Sequence, residues 1–436
     1  MINTKEFMTK TEYIDRKDVS PREDVYLIGI DIGYSAVKCI SENTAAVFPS
    51  FAIPDNKMGT FGDLGSEFIR YRNLVTNECW LVGKIAASVL SDDDTSVSTH
   101  SLCRRDRFQD PMFRVITETG LGLACIKDKN ETYKKKKIYV ETGLPPRYMT
   151  KGASDCEDLT EIIAGKHKFS LQLGQEKPVE FEMIISSDAV HIMPQPMGTL
   201  FSAAVSNEHE MLPIAADLLN KNVLIFDGGF GTLDLYPIKS HVIQQSETYD
   251  HLGMKRVIEE TADVIRERFK KDISVPAMQK YLESGRFRWF EAKSFTTREE
   301  PLNKILEESS KNICDEAIEK TFQVYHVYEY DYLLVTGGTG AAWFEQIGEK
   351  LKNMETLSII SGAQNDSLPD IFSNVRGYYM FRYSDLASRN DDCGDYDIKN
   401  TRIVHNKNNS YRSIFYPFPV HISHSDLLSF VHHLTF

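Results

Sequence analysis

The sequence lacks the cysteine patterns of a disulfide-stapled domain or of a structural zinc site. It has seven cysteines in 436 residues, an odd number, and no two of them form a Cys-x-x-Cys pair. They are Cys39, Cys79, Cys103, Cys125, Cys156, Cys314 and Cys393. Disulfide scaffolds and zinc sites use closely and regularly spaced cysteines. We therefore expect reduced thiols, most of them structural.

Long apolar runs are also absent. No run approaches the ~18–20 residues that a membrane-spanning helix needs, and residues 1–24 are too charged and polar for a secretory signal. We therefore expect a cytoplasmic protein with no membrane partner. The 42% hydrophobic and 26% charged residues are typical of a folded protein, and the length suits about two domains.

An excess of positive charge is missing as well. The formal net charge is −13, which repels a phosphate backbone because non-specific DNA affinity comes mainly from lysine and arginine. The sequence therefore argues against direct DNA binding. One basic run, Lys134–Lys137, precedes an apolar stretch. We interpret it as a solvated strand entry, with a partner-binding patch as the alternative.

Two common phosphate-binding patterns, the Walker A motif and GxGxxG, do not occur. In their place, an apolar run at Val25–Asp31 is followed by a GYS turn at residues 33–35 and a second strand-like run at Ala36–Ile40. This pattern predicts a β-hairpin with a tight, glycine-containing turn.

The residues of this first hairpin suit a phosphate site. Asp31, at the end of a buried strand, can hold the water shell of Mg²⁺. The backbone N–H groups of the turn can bind an anion, and Gly33 permits a close approach that a Cβ atom would block. Lys38 can supply a point charge to the β- and γ-phosphates. The alternative is an ordinary hairpin with an aspartate near its turn.

The same pattern occurs a second time. An apolar run at Asn222–Asp227 is followed by a GGFG turn at residues 228–231 and a strand-like run at Thr232–Tyr236. Two such hairpins that face each other would clamp a polyphosphate from both sides, with Asp227 as the second metal ligand. The repeat therefore favours a phosphate site over an ordinary hairpin. Asp234 could be a further polar ligand, but we interpret it as a strand-end residue.

A third glycine-rich segment, LLVTGGTGAAW at Leu333–Trp343, runs from an apolar strand into a helix. Glycines at this junction let the backbone pack flat against a nucleoside, and the helix N-terminus favours phosphate.

The remaining hydrophobic pattern predicts the other helices and strands. Between the two hairpins we place strands near Cys79–Gly83, Ile138–Thr142 and Phe181–Ser186, and helices near Asp110–Lys127 and Thr199–Leu219. After the second hairpin we place strands at His241–Thr248 and Asp331–Thr336, and helices at His251–Lys270, Pro301–Tyr328 and Ala341–Lys352. Breaks or loops are expected at Val275-Pro276, Gly285–Thr297 and Asp385–Asn409.

With the three motifs in this order, the chain resembles the actin–Hsp70–hexokinase superfamily over about Val25 to Tyr383. Within that superfamily it looks most like the bacterial plasmid-segregation actins, the ParM/StbA-like group. The supporting stretches are ETGLPPRY (Glu141–Tyr148), MPQPMGT (Met193–Thr199), HLGMK (His251–Lys255), VPAMQKYLESG (Val275–Gly285) and FSNVRGYYMF (Phe372–Phe381).

The resemblance implies an α/β actin-like two-domain fold, built from duplicated ribonuclease H-like domains with the nucleotide in the interdomain cleft. The expected parts are a flexible N-terminal extension at residues 1–24, domain I at 25–198, domain II at 199–365, a helix returning to domain I at 366–384, and a C-terminal extension at 385–436.

The resemblance also assigns roles at the site. Gln195, with Asp227, is the expected catalytic residue, because it matches the position that orients the attacking water. Gly253 matches a glycine near the ribose. The expected cofactors are ATP or GTP with Mg²⁺, and the metal ligands are Asp31 and Asp227. The expected nucleotide contacts are Asp31, Gly33, Tyr34, Ser35, Lys38, Gly228, Gly229, Phe230, Gly231, Thr232, Gly253, Gly337, Gly338 and Thr339.

By this resemblance the protein is a filament-forming ATPase, with GTP as a further possible substrate, and its slow hydrolysis is coupled to polymerisation. Its expected partners are further copies of itself and a ParR-like adaptor protein bound to a centromere-like DNA. The alternative is a sugar or acid kinase on the same superfold. Such a kinase needs a carboxylate aimed at a substrate hydroxyl, and Gln195 counts against it. An Hsp70-like chaperone ranks last.

Overall fold

Two mixed β-sheets with the same strand order lie at the centres of two lobes. The computed structural model describes residues 2–16, 19–55, 64–88, 107–291, 293–363 and 368–391. The strands of lobe I are β1 (Glu12–Asp15), β2 (Val25–Ile32), β3 (Ala36–Ile40), β4 (Thr44–Pro49), β5 (Ala52–Pro54), β6 (Ile69–Asn73), β7 (Cys79–Val82), β8 (Lys137–Leu144), β9 (Gly165–Leu173), β10 (Val179–Ile185) and β11 (Val190–Pro194).

The central sheet of lobe I has the order β1-β4-β3-β2-β8-β11. Its β2–β3 hairpin is antiparallel, whereas β2, β8 and β11 run parallel to one another. All eight residues of β2 are buried, as expected for a strand covered on both faces. The other sheet of this lobe, β10-β9-β6-β7-β5, is antiparallel throughout. The helices of lobe I are α1 (Lys84–Ser88), α2 (Pro111–Cys125), α3 (Thr132–Lys135), α4 (Asp155–Ile163) and α5 (Gln195–Ala204).

Lobe II repeats this arrangement with fewer strands. Its strands are β12 (Val223–Gly228), β13 (Leu233–Lys239), β14 (Val242–Ile243), β15 (Glu247–Tyr249), β16 (Arg286–Glu291), β17 (Thr296–Pro301), β18 (Tyr332–Thr336) and β19 (Ser358–Ser361). Its central sheet has the order β14-β13-β12-β18-β19, and β15 also pairs with β13. The helices are α6 (Pro213–Asn220), α7 (Met254–Phe269), α8 (Val275–Ser284), α9 (Asn303–Val324), α10 (Gly337–Leu351) and α11 (Ser373–Asp391).

The matching order confirms the duplication that the sequence predicts. In lobe I the antiparallel hairpin β2–β3 is followed by the parallel strands β8 and β11. In lobe II the hairpin β12–β13 is followed in the same way by β18 and β19. The turns of the two hairpins therefore lie at equivalent places in their lobes.

Helix α11 returns to lobe I and packs against α5 and β2. The contact between α5 and α11 is backbone to backbone. A Cβ atom at Gly377 would lie 1.6 Å from the carbonyl oxygen of Gly198, so only glycine permits this approach. A hydrophobic cluster that includes Phe201 and Tyr378 fills the space around these two helices.

The N-terminal segment is not the flexible extension that we expected. Strand β1 pairs with β4 along four residues, and Phe7, only 3% exposed, packs in the core of lobe II. The hydroxyl of Thr4 donates to the carbonyl of Leu282 at 2.7 Å. The polar composition hid this order, because an unpaired sheet edge can fix a polar strand through backbone hydrogen bonds alone.

Three predicted elements after residue 198 differ in the structure. The single helix at Thr199–Leu219 is two helices, α5 and α6, separated by a Val205–Met211 bridge, because a proline begins α6 and cannot lie inside a helix. The break at Val275-Pro276 is the start of α8, since a helix tolerates proline in its first turn. The loop at Gly285–Thr297 contains most of the β16–β17 hairpin.

Smaller differences concern element ends. The strand at His241–Thr248 is two short strands, β14 and β15, and α10 begins at Gly337 rather than Ala341. Helix α11 continues to Asp391, beyond the predicted start of the C-terminal loop at Asp385. The rest of that loop and of the C-terminal extension, residues 392–436, lies outside the described residues.

Five of the seven cysteines lie among the described residues. Cys39, Cys79, Cys125, Cys156 and Cys314 are all unpaired thiols. In the part of the chain that the structure describes, no helix has both the length and the apolar character required to cross a membrane.

Candidate functional site

The first hairpin turn presents a carboxylate and an amine at the cleft between the lobes. Asp31 is the penultimate residue of β2 and is 4% exposed. The N–H of Gly33 donates to the carbonyl of Ala36 at 3.1 Å and closes the turn. Lys38 faces Asp31 across the hairpin, and its Nζ lies 2.9 Å from Asp31 Oδ2. The strand register thus places the predicted cation beside the predicted metal ligand.

The second hairpin turn has the same construction. Asp227 is the penultimate residue of β12 and is also 4% exposed. The N–H of Gly229 donates to the carbonyl of Thr232 at 2.8 Å, which is the same closure at the same distance in sequence from the aspartate. Across the hairpin, Asp227 faces Asp234. A second carboxylate therefore stands where the first hairpin has a lysine.

The two aspartates meet in one cleft. Gln195 begins α5, and its Nε2 donates to Asp31 Oδ1 at 3.2 Å. Asn374, on α11, donates through Nδ2 to Asp227 Oδ2 at 2.7 Å. Both aspartates and both amides line the same cavity between the lobes. This is the arrangement on which the two-sided phosphate clamp depends.

The carboxylates of lobe II are held in an unfavourable electrostatic environment. Burial raises the pKa of Asp227 to about 6, and the negative charge of Asp31 adds to the effect. Burial also raises the pKa of Asp234 to about 7, with the charge of Asp227 as the next cause. The hydroxyls of Thr232 and Thr248 donate to Asp234 and offset part of this cost. A cation bound near Asp227 would stabilise the ionised form of its carboxylate.

The donor set fits a hydrated magnesium ion better than a metal caged by protein ligands. Within the described ranges, no group of three or more His, Cys, Asp or Glu side chains is arranged to hold a metal. Mg²⁺ usually keeps several waters and binds through one or two carboxylates together with substrate phosphates. Asp31 and Asp227 could provide those carboxylates from opposite lobes.

The third glycine-rich segment lies against the second turn. Gly337 begins α10 with φ of +78°, and a Cβ atom there would come within 2.3 Å of the carbonyl oxygen of Gly228. Thr339 Oγ1 donates to the carbonyl of Gly229 at 2.6 Å. The segment is therefore the first turn of a helix rather than a loop before it. Its free N–H groups lie beside the second turn, where a helix N-terminus favours an anion.

Most of the predicted site residues line the cleft together. They are Asp31, Gly33, Tyr34, Ser35, Lys38, Gln195, Asp227, Gly229, Phe230, Gly231, Thr232, Gly337, Gly338 and Thr339. Gly228 instead lies within β12, paired with Leu233. Gly253 precedes α7, whose first N–H groups donate to the carbonyls of Gly229 and Phe230. Gly253 thus supports the second turn from behind, and its contact with a ribose stays a prediction.

Several cleft residues were not predicted from the sequence. Asn374 lies in the predicted returning helix but was not predicted to belong to the site, yet it donates a hydrogen bond to Asp227. Its own amide oxygen accepts from Thr199, whose hydroxyl also lies 2.8 Å from that of Thr336. Arg107 and the segment Glu6–Thr9 also line the cleft. Asn374 is the second residue of α11, where an asparagine is common, and its partner lies 147 residues away, so no local signal marked it.

Comparison with known proteins points to one fold. Residues 29–198 match the model of the actin like proteins N terminal domain. The structure is similar to a pCBH ParM non-polymerisable quadruple mutant, with a TM-score of 0.62 and 20% identity over 83% of this chain and 99% of that one. It is also similar to a 15-stranded ParM filament from Clostridium botulinum, with a TM-score of 0.61 and 20% identity over 82% and 99% of the two chains.

A Bacillus thuringiensis ParM with AMPPNP is a further match, with a TM-score of 0.53 and 15% identity over 84% of this chain and 100% of that one. No curated protein matches the sequence. At these identities, the likeness to solved structures is a likeness of fold.

Proposed function

We propose that this chain, which has the two-domain actin-like fold, is a nucleotide-dependent, filament-forming ATPase that moves plasmid DNA through an adaptor protein. The observation that carries the proposal is the pair of matching acidic turns, one from each lobe, that line a single cleft. The similar ParM structures, one a filament and one with AMPPNP, support the same conclusion.

The residues of the cleft would bind the nucleotide from two sides. Asp31 and Asp227 would hold Mg²⁺ through its water shell, and the bound ion would neutralise charge on the phosphates. The N–H groups of both turns face the anion, and Lys38 adds a positive charge from lobe I. Asn374 fixes the orientation of Asp227 through its 2.7 Å hydrogen bond. ATP is the proposed nucleotide, with GTP as the other candidate.

Gln195 would position the water that attacks the terminal phosphate. Its amide can hold a water molecule but cannot accept the proton, so the residue supplies orientation without general-base catalysis. Slow hydrolysis follows from this chemistry. Helix α5, which carries Gln195, contacts lobe I through that residue and lobe II through the Thr199–Thr336 hydrogen bond. A change in lobe orientation on assembly would therefore move Gln195, which couples hydrolysis to polymerisation.

The adaptor follows from the charge of the chain. A net charge of −13 opposes direct contact with DNA. We propose that a basic, ParR-like adaptor binds a centromere-like DNA and connects it to the filament.

Sedimentation and light scattering with Mg-ATP, Mg-GTP or no nucleotide test the proposal. Wild-type protein should pellet only with a triphosphate, and EDTA should prevent pelleting. Asp227→Ala should abolish nucleotide-dependent pelleting because the cleft loses one metal ligand. Asp263→Ala, on the exposed side of α7, is the matched control and should pellet normally. Unchanged pelleting of Asp227→Ala would reject the site, and a persistent monomer that phosphorylates a sugar would favour the kinase.

Gln195→Ala separates hydrolysis from assembly. Because Gln195 handles the attacking water, the variant should still pellet with Mg-ATP but should release phosphate about tenfold to a hundredfold more slowly. Phosphate release and pelleting are measured on the same samples. Normal phosphate release by this variant would contradict the role given to Gln195.

A further inference from the structure

Arg107 is a buried cation that faces the cleft. It precedes α2 by four residues, is 6% exposed and lines the same cavity as the two acidic turns. Its guanidinium carbon lies 4.7 Å from the centre of the Tyr34 ring, and 5.4 Å and 5.2 Å from those of Phe108 and Phe113. Three aromatic rings therefore fix the position of the charged group.

The charge of Arg107 has no counterpart in the described part of the chain. Among the described residues, no carboxylate forms an ion pair with it, and no oxygen accepts a hydrogen bond from its side chain. The other three arginines that are buried among the described residues all have such partners. Arg382 pairs with Glu141 and Asp385, Arg22 pairs with Asp24, and Arg376 donates to the carbonyls of Ser202 and Val205.

A guanidinium that is largely buried and reaches only the cleft is unfavourable unless water or a ligand there completes its interactions. Burial of a charge without a partner is costly, and attraction to the aromatic rings returns about 0.5–2 kcal/mol. The planar group still has donors that match a carboxylate or a phosphate. The missing partner of Arg107 should therefore be an anion that enters the cleft.

The surroundings of Arg107 identify that anion as a phosphate. Tyr34 belongs to the first phosphate turn, and its ring also covers Gly231 of the second turn, where a Cβ atom would lie 2.5 Å from Tyr34 Cδ2. The ring of Tyr34 thus connects the guanidinium to both turns. Tyr34 is held in place by a 3.1 Å hydrogen bond between its hydroxyl and that of Tyr148.

We propose that Arg107 binds the phosphate chain of the nucleotide and forms a third side of the clamp. The proposal rests on the proposed nucleotide-binding function of the cleft. It adds a direct phosphate ligand in lobe I that lies outside the three glycine-rich motifs. Tyr34, in the first turn, positions this arginine through the contact between its ring and the guanidinium.

Two substitutions test the inference by calorimetric titration with Mg-ATP and Mg-GTP. Arg107→Met keeps the aliphatic stem over the rings but removes the charge, and Arg107→Lys keeps a charge but loses the planar fork. We expect the affinity for the bound triphosphate to fall at least tenfold in Arg107→Met and by a smaller factor in Arg107→Lys. Arg268→Met, at an exposed position of α7, should bind like the wild type.

Thermal unfolding without nucleotide provides the discriminating measurement. If Arg107 awaits an anion, its replacement by methionine should leave the melting temperature of the nucleotide-free protein unchanged or raise it. A lower melting temperature would show that Arg107 is a packing residue and would overturn the inference, as would unchanged affinity in Arg107→Met. If the wild type itself binds neither triphosphate, the proposed function and this inference fall together. If the wild type binds and Arg107→Met binds equally well, only the inference falls.

Discussion

The two hairpin turns have the same backbone but opposite electrostatics. In each, an aspartate is the penultimate residue of a buried strand, and the N–H of the glycine two residues after it closes the turn. Seven residues after the aspartate, the partner strand places Lys38 opposite Asp31 in lobe I and Asp234 opposite Asp227 in lobe II. The duplicated turn therefore carries an ion pair in one lobe and a pair of carboxylates in the other.

This difference assigns separate tasks to the lobes. The carboxylate of Asp31 is balanced by Lys38 at 2.9 Å, so this pair adds no net negative charge beside the phosphates, and Arg107 would give the lobe I side of the cleft a net positive charge. Lobe II places two carboxylates opposite each other, and burial, followed by the charge of a neighbouring carboxylate, raises the pKa of both Asp227 and Asp234. Lobe II thus needs a cation, and a magnesium ion bound with the phosphates would connect the two lobes.

Asp227→Asn should have the largest effect on nucleotide binding. The variant loses a charged metal ligand, an interaction worth about 1.5–3 kcal/mol, and its affinity for Mg-ATP should fall about tenfold to a hundredfold. The stability of the nucleotide-free protein should change in the opposite direction. The pKa of Asp227 rises from 3.8 to about 6 on folding, so the ionised carboxylate destabilises the folded state above pH 6, by about 3 kcal/mol.

Urea unfolding and calorimetric titration measure both effects of Asp227→Asn. The sign follows from linkage, because the folded state binds this proton more tightly than the unfolded state. Stability from this group is therefore greatest at low pH and is lost as the pH rises from 3.8 through about 6. The asparagine should remove that loss. A nucleotide-free variant that is less stable than the wild type at pH 8 would contradict the account of lobe II.

Lys38→Met should weaken both binding and stability. It removes a charge that faces the phosphates, and we expect about tenfold weaker binding of Mg-ATP. It also leaves Asp31 buried without its ion-pair partner, which should cost about 3 kcal/mol in the free energy of unfolding. The same two measurements apply. The contrast between the turns is established if Lys38→Met lowers both the affinity for Mg-ATP and the stability, whereas Asp227→Asn lowers the affinity and raises the stability. A Lys38→Met variant that is more stable than the wild type would contradict it.

The sequence predicted the parts of the fold that depend on local patterns. Both hairpins and the strand that leads into Gly337 follow from apolar runs bounded by glycine, and these features place Asp31 and Asp227 correctly at strand ends. The sequence did not predict that β1 joins the central sheet, because edge pairing depends on backbone groups rather than on an apolar pattern. The division of Thr199–Leu219 was missed although Pro213 marks it.

The missing parts of the site share one physical cause. Asn374 reaches Asp227 only because two glycines bring α11 against α5. Arg107 reaches the cleft only because Tyr34, Phe108 and Phe113 surround its guanidinium. Neither residue belongs to a local motif, and each is placed by packing between segments distant in sequence. The register of the first hairpin, by contrast, is a local feature, and it places Lys38 beside Asp31.

Asp234→Asn should have the smallest effect on binding and gives the sharpest test of the lobe II turn. The amide oxygen can accept from one of the two hydroxyls that donate to Asp234, those of Thr232 and Thr248, and the amide NH2 can donate to the other, but the charge that faces Asp227 is removed. If Asp234 is a strand-end residue rather than a metal ligand, the affinity for Mg-ATP should stay within about threefold of the wild type. The pKa of Asp234 rises from 3.8 to about 7 on folding, so removing its charge should make the nucleotide-free protein more stable by about 4 kcal/mol above pH 7. Titration and urea unfolding measure these changes, with Asp263→Asn as the surface control. A loss of affinity as large as that of Asp227→Asn would instead make Asp234 a ligand, because an electrostatic neighbour without direct contact cannot produce it.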